Sequence, residues 1–169
     1  MLDNHHNISS TEPDWNREKK SLLEWAPSKS LLAAIRRYQS AEQSIFLIRW
    51  VVKKIAVLQH RFWSIVTGAE IPINCQIGGG LLIPHPNGIV IHPNVRIGPN
   101  CLILQQVTLG MLDGDMAPMI GGHVDIGAGA KVLGGIHIGN HVKIGANAVV
   151  LISVPDNMTA VGIPAKLLK

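Results

Sequence analysis

The chain has 169 residues and a net charge of +4, with 47% hydrophobic residues against 15% charged, which suits one domain with an appendage. Residues 1–69 carry ten Lys/Arg against six acids, whereas residues 70–169 carry five of each. A nucleic-acid surface requires a basic patch interleaved with aromatics. The neutral second part has none, so no nucleic-acid partner is expected.

The first twenty residues are polar and aperiodic, which predicts a loose leader over 1–27 and no signal peptide. His5 and His6 read as solvated there, and the default location is the cytoplasm. A short helix is expected from Ser28 to Tyr38, capped by Ser28 or Ser30, with Leu31, Leu32 and Ile35 on one face. The apolar run from Ser44 to Val66 predicts a second helix, completing an N-terminal helical segment over 28–69. Arg49, Lys53, Lys54 and Arg61 interrupt this run and make it a poor membrane span. It reads as packed on its own domain or a sister subunit. A second reading lays it on an anionic membrane at the inner face, with Trp50 and Trp63 at the interface. Gly68 ends the helix.

From residue 70 to 155 aliphatics recur every sixth position, as in Ile71, Ile77, Ile83 and then Ile91, Ile97, Ile103, Leu109. The column resumes at Ile120 and runs through Ile126, Val132, Ile138 and Ile144 to Val150. Small residues such as Cys75, Cys101, Ala130 and Ala148 follow four places behind, and the two cysteines read as buried structural groups. A period of six suits neither a helix nor a hairpin meander; it marks a hexapeptide β-helix in which each hexad gives one short strand and one corner. Three hexads make a coil, so residues eighteen apart stack. The step lengthens to eight between Ile83 and Ile91 and to eleven between Leu109 and Ile120. The surplus residues must leave the wall, and chemistry is sought there. In the tail over 156–169, Pro155, Gly162 and Pro164 are expected to stop regular structure and fold the chain back on the last coil.

The stretches GLLIPHPNGIVI over 80–91, ILQQVTLG over 103–110, IGAGAK over 126–131 and VGIPA over 161–165 resemble the serine acetyltransferase family. They resemble still more closely its short colanic-acid and exopolysaccharide O-acetyltransferase relatives. The resemblance covers about residues 68–166. It implies an all-β left-handed parallel β-helix with a short N-terminal helical segment, a homotrimer, and acetyl-CoA as co-substrate in grooves between subunits, with no permanently bound cofactor.

The resemblance makes His85, held on a stiff bend by Pro84, Pro86 and Gly88, the general base. An imidazole titrates near neutrality and suits removal of a hydroxyl proton. Glu70 stands where the family places the carboxylate that orients this histidine, with a charge at the edge of the first coil as the alternative. Backbone N–H groups near Gly110 and Met111 match the pair that holds the oxyanion. Ala128, Gly129, Lys131 and Ala146 match positions lining the pantetheine groove. Lys143 and Lys166 are candidates for the CoA phosphates, although Asp125, eighteen residues before Lys143, offers a stacked salt bridge instead.

Pro84, Asn87 and Asp115 fall on the acceptor side, where Pro84, Met116 and Ala117 replace polar groups of the family and the loop is shorter. A serine carboxylate needs a cation, and no Lys or Arg lies between Leu109 and Ile120. The expected acceptor is therefore a sugar hydroxyl of an exopolysaccharide or its lipid-linked precursor, with serine as the alternative. Rival classes are a zinc-dependent, carbonic-anhydrase-like β-helix and a non-catalytic scaffold. His123 and His141 stack eighteen apart near His137, but zinc needs three converging ligands, so no metal is expected.

Overall fold

The structure is a computed structural model that describes residues 8–21, 24–43, 45–112, 114 and 116–169. His5, His6 and Asp115 lie outside the described residues.

Two helices precede the strands. Helix α1 spans Pro27–Ser40 and α2 spans Phe46–Thr67. The expected serine cap at Ser28 or Ser30 is not used. Pro27 stands in the first turn, where its missing N–H would be unpaired anyway, and Ser30 turns its hydroxyl back to Ala26 O at 3.0 Å. Leu31, Leu32 and Ile35 are buried in the core. Gly68 closes α2 with φ of 64°, and its N–H bonds to Ser64 O at 2.9 Å. This left-handed conformation carries little steric cost only without a side chain.

The strands are two or three residues long and form three parallel walls that the chain visits in rotation. The first wall holds β1 (Gln76–Ile77), β3 (Arg96–Ile97), β6 (Met119–Ile120) and β9 (His137–Ile138). The second holds β4 (Leu102–Ile103), β7 (Asp125–Ile126), β10 (Lys143–Ile144) and β12 (Thr159–Val161). The third holds β2 (Val90–Ile91), β5 (Thr108–Gly110), β8 (Lys131–Leu133) and β11 (Val149–Val150). Bridges extend the pairing to Leu82 on Leu102 and Glu70 on Val90.

The register explains the two irregular steps. Met119 pairs with His137, the eighteen-residue stacking distance, whereas Gln76 pairs with Arg96 and Arg96 with Met119. The extra two and five residues are thus extruded and the walls stay in line. One aliphatic per strand points inward, and Ile103, Leu109, Ile126, Val132, Ile138 and Val150 are buried to within 1%. Each such side chain contributes about 1.5–3 kcal/mol of transfer free energy. Corners at Asn100, Gln106, His123, His141, Asn147 and Asn157 take φ near 60°, a region in which Asn and His are enriched.

Two segments are more ordered than their sequence suggests. The side chain of Asn100, 1% exposed, accepts the Asp14 N–H at 2.8 Å and donates to Ser9 O at 2.7 Å and Glu12 O at 2.8 Å. Ser10 O lies 1.8 Å from where a Cβ on Gly122 would stand, so only glycine admits the segment there. The chain then turns through a short 3-10 helix, Trp15–Glu18. Glu18 forms a paired contact with Arg36 at 2.8 and 3.0 Å and accepts Leu81 N–H at 3.0 Å, while Arg36 donates to Ile77 O and Gly78 O. Polar composition hid this packing, because its partners are backbone groups and corner residues rather than an apolar side-chain stripe. In the tail, β12 continues the second wall and β13 (Lys166–Leu168) returns antiparallel to it. Pro155 falls in the loop before β12, and Gly162 and Pro164 in the turn between β12 and β13, so strands still form on both sides of that turn.

Among the described residues no helix is long and apolar enough to cross a membrane.

Candidate active site

The first excursion, residues 84–88, leaves the second wall and enters the third. Pro84 and His85 are exposed at its tip. Proline fixes φ and removes an N–H that a ladder would need, so the bend cannot relax into strand pairing. Backbone bonds hold its exit: Gly88 N–H donates to Gly68 O at 2.8 Å, and Gln106 N–H donates to Asn87 O at 3.0 Å. The same ladder continues down this corner from Gly129 N–H to Gln105 O and from Asn147 N–H to Ala128 O, both 2.8 Å. One corner therefore stacks the His85 bend, Asn87, Gln105–Gln106, Ala128–Gly129 and Ala146–Asn147. The structure brings together the residues assigned to general base and to pantetheine groove.

Lys131 stands beside this corner on β8 and donates to Gln106 O at 2.6 Å. Sequence reasoning passes over Gln106. It is the third residue after the inward Ile103, the offset of Gly129 after Ile126 and of Asn147 after Ile144, and that shared offset was the available signal.

Glu70 is exposed on the third wall, where its N–H bonds to Ile89 O at 2.8 Å and its carbonyl accepts Ile91 N–H at 2.9 Å. Its carboxylate lies on the outer column with Val90, just past the bend. Among the described residues, neither this carboxylate nor the His85 ring has a hydrogen bond or ion pair.

Gly110 and Met111 are not beside His85 in one chain. Gly110 ends β5 at the far edge of the third wall, level with His92, whose N–H bonds to Leu109 O at 2.8 Å. Asn87 stacks on Gln106 at one edge of the wall and His92 on Gly110 at the other. The chain leaves the wall after Gly110 and rejoins the first wall at Met119, with Met111 and Met116 exposed.

Lys143 is the register partner of Asp125, yet no ion pair joins them among the described contacts. Lys166 pairs with Val161 at the last turn, and both lysines are exposed. His123 and His141 meet through their Nδ1 atoms at 2.8 Å, one ring edge-on to the other, so one nitrogen donates and the other accepts. His137 stands apart on β9. Among the described residues no group of three or more His, Cys, Asp or Glu converges. Burial pushes the Cys75 thiol up to about 11 and the Cys101 thiol up to about 12. Such thiols stay protonated and are poor nucleophiles.

These features define a class: a three-walled parallel coil that carries a rigid histidine bend above a stacked corner. No protein-family model matches the chain. The serine acetyltransferase of Staphylococcus epidermidis is 40% identical over 153 residues, covering 89% of this chain and 70% of the relative. A soybean serine acetyltransferase complexed with serine superposes with a TM-score of 0.71 at 36% identity, over 85% of this chain and 58% of that one. A serine acetyltransferase in complex with CoA gives 0.70 at 34% identity over the same shares. The chain belongs to the serine acetyltransferase family. It spans 44% and 56% of the length of two further curated relatives that it matches.

These relatives correct two expectations. The similar proteins are serine acetyltransferases at 40–52% identity, not exopolysaccharide acetyltransferases. The sugar acceptor, and with it polysaccharide synthesis, falls. The expectation rested on Pro84, Met116 and Ala117 and on the lack of Lys or Arg between Leu109 and Ile120. Arg96 lies outside that window and stands at the foot of the loop, pairing with Met119 and donating its N–H to Pro118 O at 3.4 Å.

Proposed function

We propose that this chain is an acetyl-CoA-dependent serine O-acetyltransferase. The observation that carries the reading is the single corner on which the His85 bend stacks above residues 105–106, 128–129 and 146–147. The His85 imidazole takes the proton from the serine hydroxyl, and the oxygen attacks the thioester carbonyl. Backbone N–H groups near Gly110 and Met111 hold the oxyanion. The carbon–sulfur bond then breaks, and the imidazolium returns the proton to the departing sulfur, giving O-acetylserine and free CoA. Glu70 orients the imidazole, Asn87 and Asp115 border the acceptor, and Lys143 and Lys166 meet the phosphates of CoA.

Because the oxyanion donors and the bend stand at opposite edges of the third wall, the reading requires a neighbouring subunit to complete the site. A threefold assembly with the donor in the grooves between left-handed coils meets that need. Arg96 supplies the cation for the serine carboxylate that residues 111–118 lack. The direct test measures free thiol release from acetyl-CoA with L-serine, L-homoserine and sugars as acceptors. The reading predicts the highest kcat/KM for L-serine, and no turnover of serine by well-folded protein overturns it.

A further inference from the structure

His92 stands at the far edge of the third wall, in the corner where the chain crosses to the first wall at Arg96. Its backbone is held from three sides. The His92 N–H donates to Leu109 O at 2.8 Å, and its carbonyl accepts the Val95 N–H at 3.0 Å and the Cys75 thiol at 3.5 Å. Ile91 pairs with Leu109, so the next residue along each strand sets His92 beside Gly110, one strand over. This is the edge assigned to the oxyanion, and a donor anchored here is already in place when charge develops.

The hydrogen bonding of the ring decides what it can offer. Asn94 N–H donates to His92 Nδ1 at 3.2 Å. A ring nitrogen that accepts carries no proton, so the neutral imidazole bears its hydrogen on Nε2. Among the described residues Nε2 has no partner, and the residue is half-buried. A fixed N–H in a partly shielded corner acts more strongly on a charge than one in open water. The chain beyond Gly110 supplies no side-chain donor. Between Met111 and Pro118 the only polar side chains are two aspartates, which accept but do not donate when ionised.

We propose that His92 is a further catalytic residue of the acetyl-transfer site, its Nε2–H donating to the thioester carbonyl oxygen beside the backbone N–H groups near Gly110 and Met111. The bond strengthens as that oxygen takes negative charge in the tetrahedral intermediate, and no proton leaves the ring. The two histidines then hold separate roles. His85 removes the hydroxyl proton, and His92 meets the charge that the attack creates. The inference rests on the acetyl-transfer reading and adds a group at the opposite edge of the wall from the base.

The two ring nitrogens can be tested apart. His92→Asn places Oδ1 where Nδ1 accepts the Asn94 N–H, and ends short of Nε2, so it keeps the turn and loses the donor. His92→Gln places an amide N–H near the position of Nε2 and gives up the bond to Asn94. With L-serine and acetyl-CoA, His92→Asn should lower kcat about 10²–10³-fold, the loss typical of one oxyanion donor. Both KM values and the thermal midpoint should stay unchanged. His92→Gln should melt lower yet recover part of kcat. A purely structural histidine gives the reverse order, with His92→Asn near wild type and His92→Gln the weaker enzyme, and that result overturns the proposal. Should His92→Gln fail to fold, kcat of His92→Asn decides alone. The wild-type chain separates the two claims. Serine turnover by wild type together with an unimpaired His92→Asn removes only this donor. No turnover by folded wild type removes the acetyl-transfer reading and this proposal with it.

Discussion

At the scale of single residues, the proposed function draws the charge that the acceptor loop lacks from a neighbouring strand. Residues 110–119 contain no Lys or Arg, and Arg96 is exposed directly under Met119 on the first wall. Arg96→Gln should raise KM for L-serine by about 10–100-fold, the loss expected for a charge-assisted pair of ~1.5–3 kcal/mol. KM for acetyl-CoA should stay unchanged, and Arg96→Lys should recover part of the loss. Equal effects on both substrates in steady-state kinetics contradict this role. The cysteines set a second expectation. Their thiols are pushed up to about 11 and 12 by burial, whereas an unfolded thiol titrates near ~8.5. The folded state therefore keeps protons that the unfolded state releases. Stability should be full below about pH 8 and fall as pH rises through the range ~8.5–12. Denaturant melts at alkaline pH check this, and Cys101→Ala should show a shallower decline.

At the scale of elements, the strands were legible because each needs only one inward aliphatic in six. The register bears out both irregular steps, at Ile83 and Leu109, as extrusions from the walls. The N-terminal segment was not legible, since Asn100 holds it through its backbone and Arg36 through the Glu18 carboxylate, and no side-chain period records such contacts. Its central contact is testable. Glu18 and Arg36 are only 9% and 17% exposed at their side chains, so removing one leaves a buried charge unpaired. Glu18→Ala should destabilise the chain by about 3–5 kcal/mol, measured by urea denaturation. It should also make residues 8–21 the first site of limited proteolysis. A change below ~1 kcal/mol would mean that the pair behaves as a surface bridge.

At the scale of the whole molecule, the sequence resemblance pointed to His85 through its two prolines, but not to where the oxyanion donors stand. That depends on wall width, which no motif encodes: the third wall separates the His85 bend from Gly110. The proposed function calls for a trimer, and light scattering should give three times the chain mass. Mixing His85→Ala chains with chains whose 111–118 loop is replaced should restore activity that neither has alone, while additive inactivity would place the site within one chain. The central claim is that His85 carries the proton from serine, and one measurement meets it most directly: single-turnover acetyl transfer from acetyl-CoA to L-serine by His85→Ala. The account predicts a rate reduced about 10²–10⁴-fold with sedimentation and circular dichroism unchanged. A wild-type rate in that folded variant would contradict it.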